Sequence, residues 1–510
     1  MNPSEVPGAE LPGGEVPSAE LPIAEPDLGP GPILEAIDRY RGAFVDLDAA
    51  RRVEADEIRR SLDHLEKELL DFGVEPGARI VLAVGNGPAF VTAFAAALRA
   101  GACPLPVHAD TPPRELVRTA ELFGAGFVVS DAVGPQELAP EATAARTVGM
   151  APWDTGVVAR IGATTPEGHR ELEGVPLHPT SGTTGLPKLA VRPARAAVEE
   201  ARHYVETLAV AEDDVLLCAI PMSHAYGFGM CLMVPILGGA DVATMRRFGV
   251  RPVLEALGSQ GVTIYPAAPA ALDLLLLGSA EAPAPGGRLR VVTSAGAPLP
   301  ERTARAVARR WSRIVRPLYG TTETGGISIA RPDHDPGRSA SVGPAMGGVR
   351  VEVRPHGRGD LDAGSGQIWV SSSSLMAGYV GPDGIDRSAV SSGWFETGDL
   401  GRLDETGALL LRGRASEVIN VFGLKVLPAE VEEVIALLPQ VTEVKVYGRP
   451  NLLGSTSVHA AVVASGDLED ADIRRHCREH LVAYKRPETI RRLDRLPRSP
   501  AGKVVVAELP

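Results

Sequence analysis

The sequence predicts an α/β protein with a large N-terminal part and a small α+β C-terminal part. Three observations lead there. Strand-like and helix-like segments alternate from about residue 32 to 345, the pattern of parallel sheets covered by helices. Residues 349–412 change to short alternating strands broken by Gly and Asp, as in a β-barrel or other β-rich subdomain. Beyond about 414 a compact α+β pattern takes over, long enough for a small domain. The predicted organisation is a tail over 1–31, a large domain over 32–413 and a small domain over 414–510.

The tail repeats Glu at 5, 10, 15, 20 and 25 and Pro at 7, 12, 17 and 22. Regular Pro blocks helix and sheet while the acids favour water, so a disordered, polyproline-like segment is expected. In the large domain, ARIVLAV (78–84) reads as a buried strand, PAFVTAFAAALRAG (88–101) as a helix ending at Gly101, and GFVVSD (126–131) as a further strand. VRVEVRP, GQIWVSS and GALLLRGR supply the alternating strands of the β-rich part. The small domain reads as helix 428–438, strands 443–448 and 457–464, helix 470–482 and a strand near 489.

Composition narrows the partners. A chain of 510 residues, 44% hydrophobic, has ample apolar content for a large core. A net charge of -13 argues against nucleic acid, whose binding depends on Lys and Arg neutralising phosphates. Cys103, Cys218, Cys231 and Cys477 form no CxxC pair, so buried thiols in a reducing cytoplasm are expected. No signal-peptide pattern is read at the start, and apolar runs such as ALDLLLLG are too short for a membrane span. Only six of the 51 basic residues are Lys, at 67, 188, 425, 445, 485 and 503. In a chain that otherwise uses Arg, each retained Lys marks a place where a compact, mobile point charge is worth seeking.

PTSGTTGLPKLAV (179–191) crowds hydroxyls and glycines around Lys188. Gly182 and Gly185 let backbone N–H groups turn toward an anion, Ser181, Thr183 and Thr184 add hydroxyl donors, and Lys188 adds charge. This is not the P-loop pattern, since no Ser or Thr follows the Lys. Downstream come SAGAPL (294–299), LYGTTETGG (318–326), GWFETGDLGRLDETG (393–407), GRASEVINVFGLKV (413–426) and LPRSPAGKVVVAEL (496–509).

In order and content these strings resemble the adenylate-forming superfamily of acyl-CoA synthetases, peptide-synthetase adenylation domains and beetle luciferases, most closely its acid–CoA ligases. The similarity covers about 32–510. The resemblance implies a large domain of two αβα lobes plus a β-barrel, and a small mobile C-terminal domain. It also implies a two-step reaction. A carboxylate attacks the α-phosphate of ATP, releasing pyrophosphate, and a thiol, CoA or a carrier-protein phosphopantetheine, then displaces AMP.

The resemblance assigns residues as follows. Thr180, Ser181, Gly182, Thr183, Thr184, Gly185 and Lys188 would hold the leaving phosphates. Ala295, Gly296 and Ala297 would lie beside adenine, Tyr319 would stack on the ring, Gly320 and Thr321 would help bind the nucleotide, and Thr322 would contact the α-phosphate. Glu323 would bind Mg2+, a hard cation that prefers carboxylate oxygen. Asp399 and Arg414 would hold the ribose, and Ser416 would be the hinge. Gly423 and Lys425 would face the acceptor thiol, and Lys503 would be the mobile catalytic lysine. Three positions depart from the family pattern: Ser416 replaces the usual Asp or Lys, Asn420 a frequent Lys, and Val506 a second basic residue. None removes a group that adenylation needs.

PMSHAYGFG (221–229) resembles the segment that flanks the acid. His224 would flank the acid pocket and count among the catalytic residues. Amino-acid-activating relatives carry Asp at the next position to pair the substrate ammonium; here it is Ala225. The remaining expected wall residues are small or apolar: Gly227, Tyr265, Ala268, Gly296, Gly325 and Gly326. The expectation is an uncharged fatty or aromatic acid. Transfer to a carrier-protein thiol or an amine is the alternative second step, and a catalytically dead AMP-binding regulator is the reading from outside enzymology.

Overall fold

Hydrophobic patterning sets the elements directly. ARIVLAV yields the fully buried strand Arg79–Ala83, and the following segment yields the helix Pro88–Arg99. Pro lies in that helix's first turn, where a missing N–H costs nothing, and Gly101 ends it at φ +73°. The computed structural model describes residues 28–138, 142–150, 155–161, 172–180, 188–278, 285–338, 340–355, 364–381, 383–421, 424–450, 456–481, 483–498 and 504–510. The expected tail over 1–31 thus lies almost wholly outside the described residues.

Two largely parallel sheets form the first 330 residues. One has five strands in the order 103–106, 79–83, 127–130, 155–161 and 142–149, parallel among the first three. The other has eight, in the order 325–329, 315–321, 291–294, 264–267, 215–218, 241–244, 43–46 and 51–54. Its six central strands run parallel, and each edge strand is antiparallel to its neighbour. The main apolar core includes helix 88–99 and one face of helix 194–208, and lies against both sheets.

The β-rich region forms a six-stranded antiparallel sheet. Strand 394–403 lies between 366–372 and 409–414, and the register places Asp399 opposite Arg414. A smaller sheet joins strands 177–180, 188–191, 378–381 and 384–386. After 414, the helices Pro428–Ala436 and Asp470–His480 share a core with the sheet 441–450, 456–464 and 489–492. All four cysteines are buried and unpaired. No helix among the described residues is long and apolar enough to cross a membrane.

Candidate active site

In open α/β sheets, ligands settle beyond the carboxyl ends of the parallel strands. Several predicted site residues follow three adjacent parallel strands in this way. Ala268 follows strand Ile264–Ala267, Ala295–Ala297 follow Val291–Ser294, and Tyr319–Thr321 end Val315–Thr321. Tyr265 lies within the first of these strands, fully buried. Gly296 turns the chain at φ +89°.

Asp399 and Arg414 reach this edge from the antiparallel sheet. The Tyr319 hydroxyl donates to Asp399 Oδ2 at 2.7 Å, and Arg414 Nε lies 3.2 Å from Asp399 Oδ1. Burial pushes the Asp399 carboxyl above the usual carboxylate range, and the Arg414 guanidinium opposes that shift. The trio presents an aromatic ring beside a charged hydrogen-bond acceptor, chemistry suited to a nucleoside.

The two described ends of the crowded hydroxyl segment meet: Thr180 and Lys188 face each other across antiparallel strands. Ser181, Gly182, Thr183, Thr184 and Gly185 lie outside the described residues. The strand that begins at Lys188 pairs on its other side with Gly378–Gly381, setting Tyr379 opposite Ala190. Tyr379 then bridges two predicted residues: its hydroxyl donates to Glu323 Oε1 at 2.9 Å, and Lys188 Nζ lies 4.9 Å from its ring centroid. Glu323 sits in a turn where the Thr321 and Thr324 hydroxyls bond each other, and its carbonyl accepts from Met376 N.

Beneath Thr322 and Gly326 lies an ion pair that the motifs did not reveal. Arg192 Nη2 meets Glu200 Oε2 at 2.7 Å, with side-chain exposures of 4% and 5%. Arg192 Nη1 donates to the Thr322 carbonyl at 2.6 Å, and Gly326 N donates to Glu200 Oε1 at 3.2 Å. Burial pushes the Glu200 carboxyl upward and Arg192 counters it. A Cβ on Gly325, at φ +71°, would strike Glu200, and one on Gly326 would strike Tyr204. Both glycines were expected as pocket wall; their bare backbone also lets this buried network approach. A readable signal existed: Glu200 lies on the apolar face of helix Ala194–Leu208, among Ala197, Ala201 and Tyr204, where charge is rare unless paired.

His224 caps the short helix Ala225–Gly227, its Nδ1 accepting from Tyr226 N at 3.4 Å. The chain continues as a buried π-helix over Phe228–Met233, a distortion often found at functional sites. Tyr226 is held by a 2.8 Å hydrogen bond between its hydroxyl and Thr293 Oγ1. Ser416 falls in a single helical turn after Arg414, and Lys425 in strand Leu424–Val426. Gly423 and Lys503 lie outside the described residues.

His178, two residues before Thr180, was not singled out from the sequence. It is buried against Phe228, and its Nδ1 has no partner among the described residues. Burial, with Arg192 adding to it, lowers its pKa to about 3. The unfolded chain therefore binds a proton there that the folded chain refuses. Stability is full above about pH 6.5 and falls as pH drops toward 3, by up to about 1.4 kcal/mol per unit from this group. Thermal melts of His178→Gln between pH 4 and 7 are expected to show a shallower slope than wild type; an identical slope would assign the acid sensitivity to other groups.

Comparison with known proteins places these features in a family. The chain matches the AMP-binding enzyme model over residues 38–380 and the AMP-binding enzyme C-terminal domain model over 430–503. It is 27% identical to 4-coumarate–CoA ligase 5 of Oryza sativa subsp. japonica over 499 residues, covering 92% of this chain and 88% of that protein. Over 327 residues it is 29% identical to 2-succinylbenzoate–CoA ligase of Bacillus licheniformis, covering 64% of this chain and 67% of that protein. Its fold matches ATP-bound MatB from Rhodopseudomonas palustris with a TM-score of 0.79 and 23% identity, over 93% of this chain and 97% of that one. The O-succinylbenzoate coenzyme A synthetase of Bacillus subtilis in complex with AMP matches with a TM-score of 0.79 and 24% identity, over 94% and 98%.

Proposed function

Because the chain belongs to the AMP-binding enzyme family, as an AMP-forming acid–CoA ligase, we propose that it joins an uncharged aromatic or fatty acid to CoA through an acyl-adenylate. The observation that carries this is the convergence of two clusters. Tyr379 draws Glu323 and Lys188 together, and Tyr319 from the parallel sheet meets Asp399 and Arg414 from the antiparallel one.

In the first step the acid's carboxylate oxygen attacks the α-phosphorus of ATP, the bond to the bridging oxygen breaks, and pyrophosphate leaves. Asp399 accepts from the ribose hydroxyls, with Arg414 keeping its carboxylate oriented. Tyr319 lies against adenine beside Ala295–Ala297. Lys188 and the hydroxyls of Thr180, Ser181, Thr183 and Thr184 hold the departing phosphates, and Thr322 and Lys503 act at the α-phosphate. Glu323 fits Mg2+: a carboxylate is a hard donor, and the Tyr379 hydroxyl fixes its orientation. The ion would neutralise phosphate charge when ATP is bound. In the second step the CoA thiol attacks the acyl carbon and AMP leaves, with the segment around Gly423 and Lys425 on the thiol's path. This division of labour treats 32–413 and 414–510 as separate domains that turn about Ser416.

The acid class rests on what the pocket segment lacks. Ala225 offers no carboxylate to an amino acid's ammonium, whose unpaired burial costs several kcal/mol. Arg192, the buried cation beneath Thr322, is already neutralised by Glu200 and offers nothing to a second acid group. The test is release of pyrophosphate and AMP across a panel of acids, with and without CoA. Aromatic or fatty acids are expected to give AMP, pyrophosphate and a CoA thioester. ADP and phosphate, a preference for amino acids, or amide formation without CoA would each overturn the proposal.

A further inference from the structure

We propose that His476, Glu479 and His480 form a binding site for a divalent transition-metal ion of the Zn2+ class, on the helix Asp470–His480. One donor atom from each residue lies within 4.8 Å of the other two. The spacing i, i+3, i+4 places all three on one helix face. The imidazole rings lie 4.2 Å apart between centroids, at 37° to each other.

Both imidazoles are oriented by backbone carbonyls. His476 Nε2 lies 3.0 Å from the Val434 carbonyl, and His480 Nδ1 lies 2.9 Å from the His476 carbonyl. A carbonyl only accepts, so each of those nitrogens carries the proton. His476 Nδ1 and His480 Nε2 are left as lone-pair donors. A backbone acceptor behind a histidine is the arrangement that fixes tautomer and ring orientation at metal centres. Val434 belongs to the neighbouring helix Pro428–Ala436, so one ligand is anchored to a second element.

Charge and access agree with this. The three residues sit in the last turns of the helix, toward the negative end of its dipole, which favours cations. Two nearby guanidinium groups have acceptors of their own: Arg475 bonds Asp472, and Arg486 bonds the carbonyls of Leu481 and Arg478. Glu479 and His480 are exposed and His476 is half-buried, so water reaches the remaining coordination positions. Two imidazoles and one carboxylate suit Zn2+, Ni2+ or Cu2+, whereas Mg2+ prefers oxygen alone. The site is therefore chemically distinct from Glu323.

The test titrates tag-free, nucleotide-free full-length protein with Zn2+ by calorimetry and with Co2+ by visible absorption. One Zn2+ per chain is expected, unchanged by millimolar Mg2+, with Co2+ giving a d–d spectrum. His480→Asn and Glu479→Gln alter exposed side chains, and their melting temperatures without metal are expected to match wild type. Each is expected to weaken Zn2+ binding by about tenfold or more. The four buried cysteines leave no exposed thiol to compete. Absence of binding, equal binding by the His480→Asn protein, or displacement of Zn2+ by Mg2+ would overturn the assignment.

Discussion

Replacing Arg192 with alanine is expected to destabilise the protein by about 3–5 kcal/mol, the range for breaking a buried ion pair from one side. The loss comes from what remains. Glu200 keeps its place beneath Gly326 but loses the cation 2.7 Å away, and the Thr322 carbonyl loses a donor. Burial already pushes the Glu200 carboxyl up with Arg192 present, and removing Arg192 pushes it further up. A carboxyl whose folded pKa is raised destabilises above its unfolded pKa and ceases to do so once both states are protonated. The deficit of the Arg192→Ala protein should therefore shrink as pH falls. The double variant Arg192→Leu/Glu200→Gln is expected to recover much of the loss, because no charge is left buried and the glutamine carbonyl still accepts from Gly326. Thermal and urea melts of both variants across pH make the check. A single variant that melts like wild type would remove the pair from the supports of the site. The same variant should also bind the acid less well, since Thr322 and Gly326 both lean on this pair.

Legibility followed the range of the interactions. Segments whose pattern is local came out within a few residues: helix 428–438 was expected where Pro428–Ala436 forms, and strand 457–464 where Thr456–Ala464 forms. Tyr319, Asp399 and Arg414 were legible because ordered motifs mark them, and the fold brings all three together. Tyr379 was not. Its role depends on strand 378–381 pairing with strand 188–191, nearly two hundred residues earlier, and no local pattern encodes that register. Arg192 and Glu200 were hidden differently. They stand eight residues apart, on a strand exit and a helix; Glu200's place on an apolar helix face signalled burial, but its partner and its place under Thr322 and Gly326 came only with the packing of that helix.

Lys503→Ala is expected to cut acyl-adenylate formation by about two to three orders of magnitude, the scale for losing one electrostatic contact made chiefly in the transition state. As carboxylate oxygen enters at the α-phosphorus, negative charge gathers on the phosphate oxygens. In the proposed site Lys188 holds the departing phosphates and Arg414 is bound to Asp399, so neither supplies a cation at the reacting phosphorus. Lys503, in PAGK near the chain end, is the one assigned there. If the small domain turns between steps, Lys503 is absent from the site during thioester formation. The variant should then convert a supplied acyl-adenylate and CoA to product at close to the wild-type rate. Lys503→Arg is expected to fail nearly as badly in adenylation, because a broad planar guanidinium does not occupy the point an ammonium does. Assaying both half-reactions on one preparation decides the matter. Equal losses in the two would contradict a rotating domain, and full activity in both would remove Lys503 from the reaction.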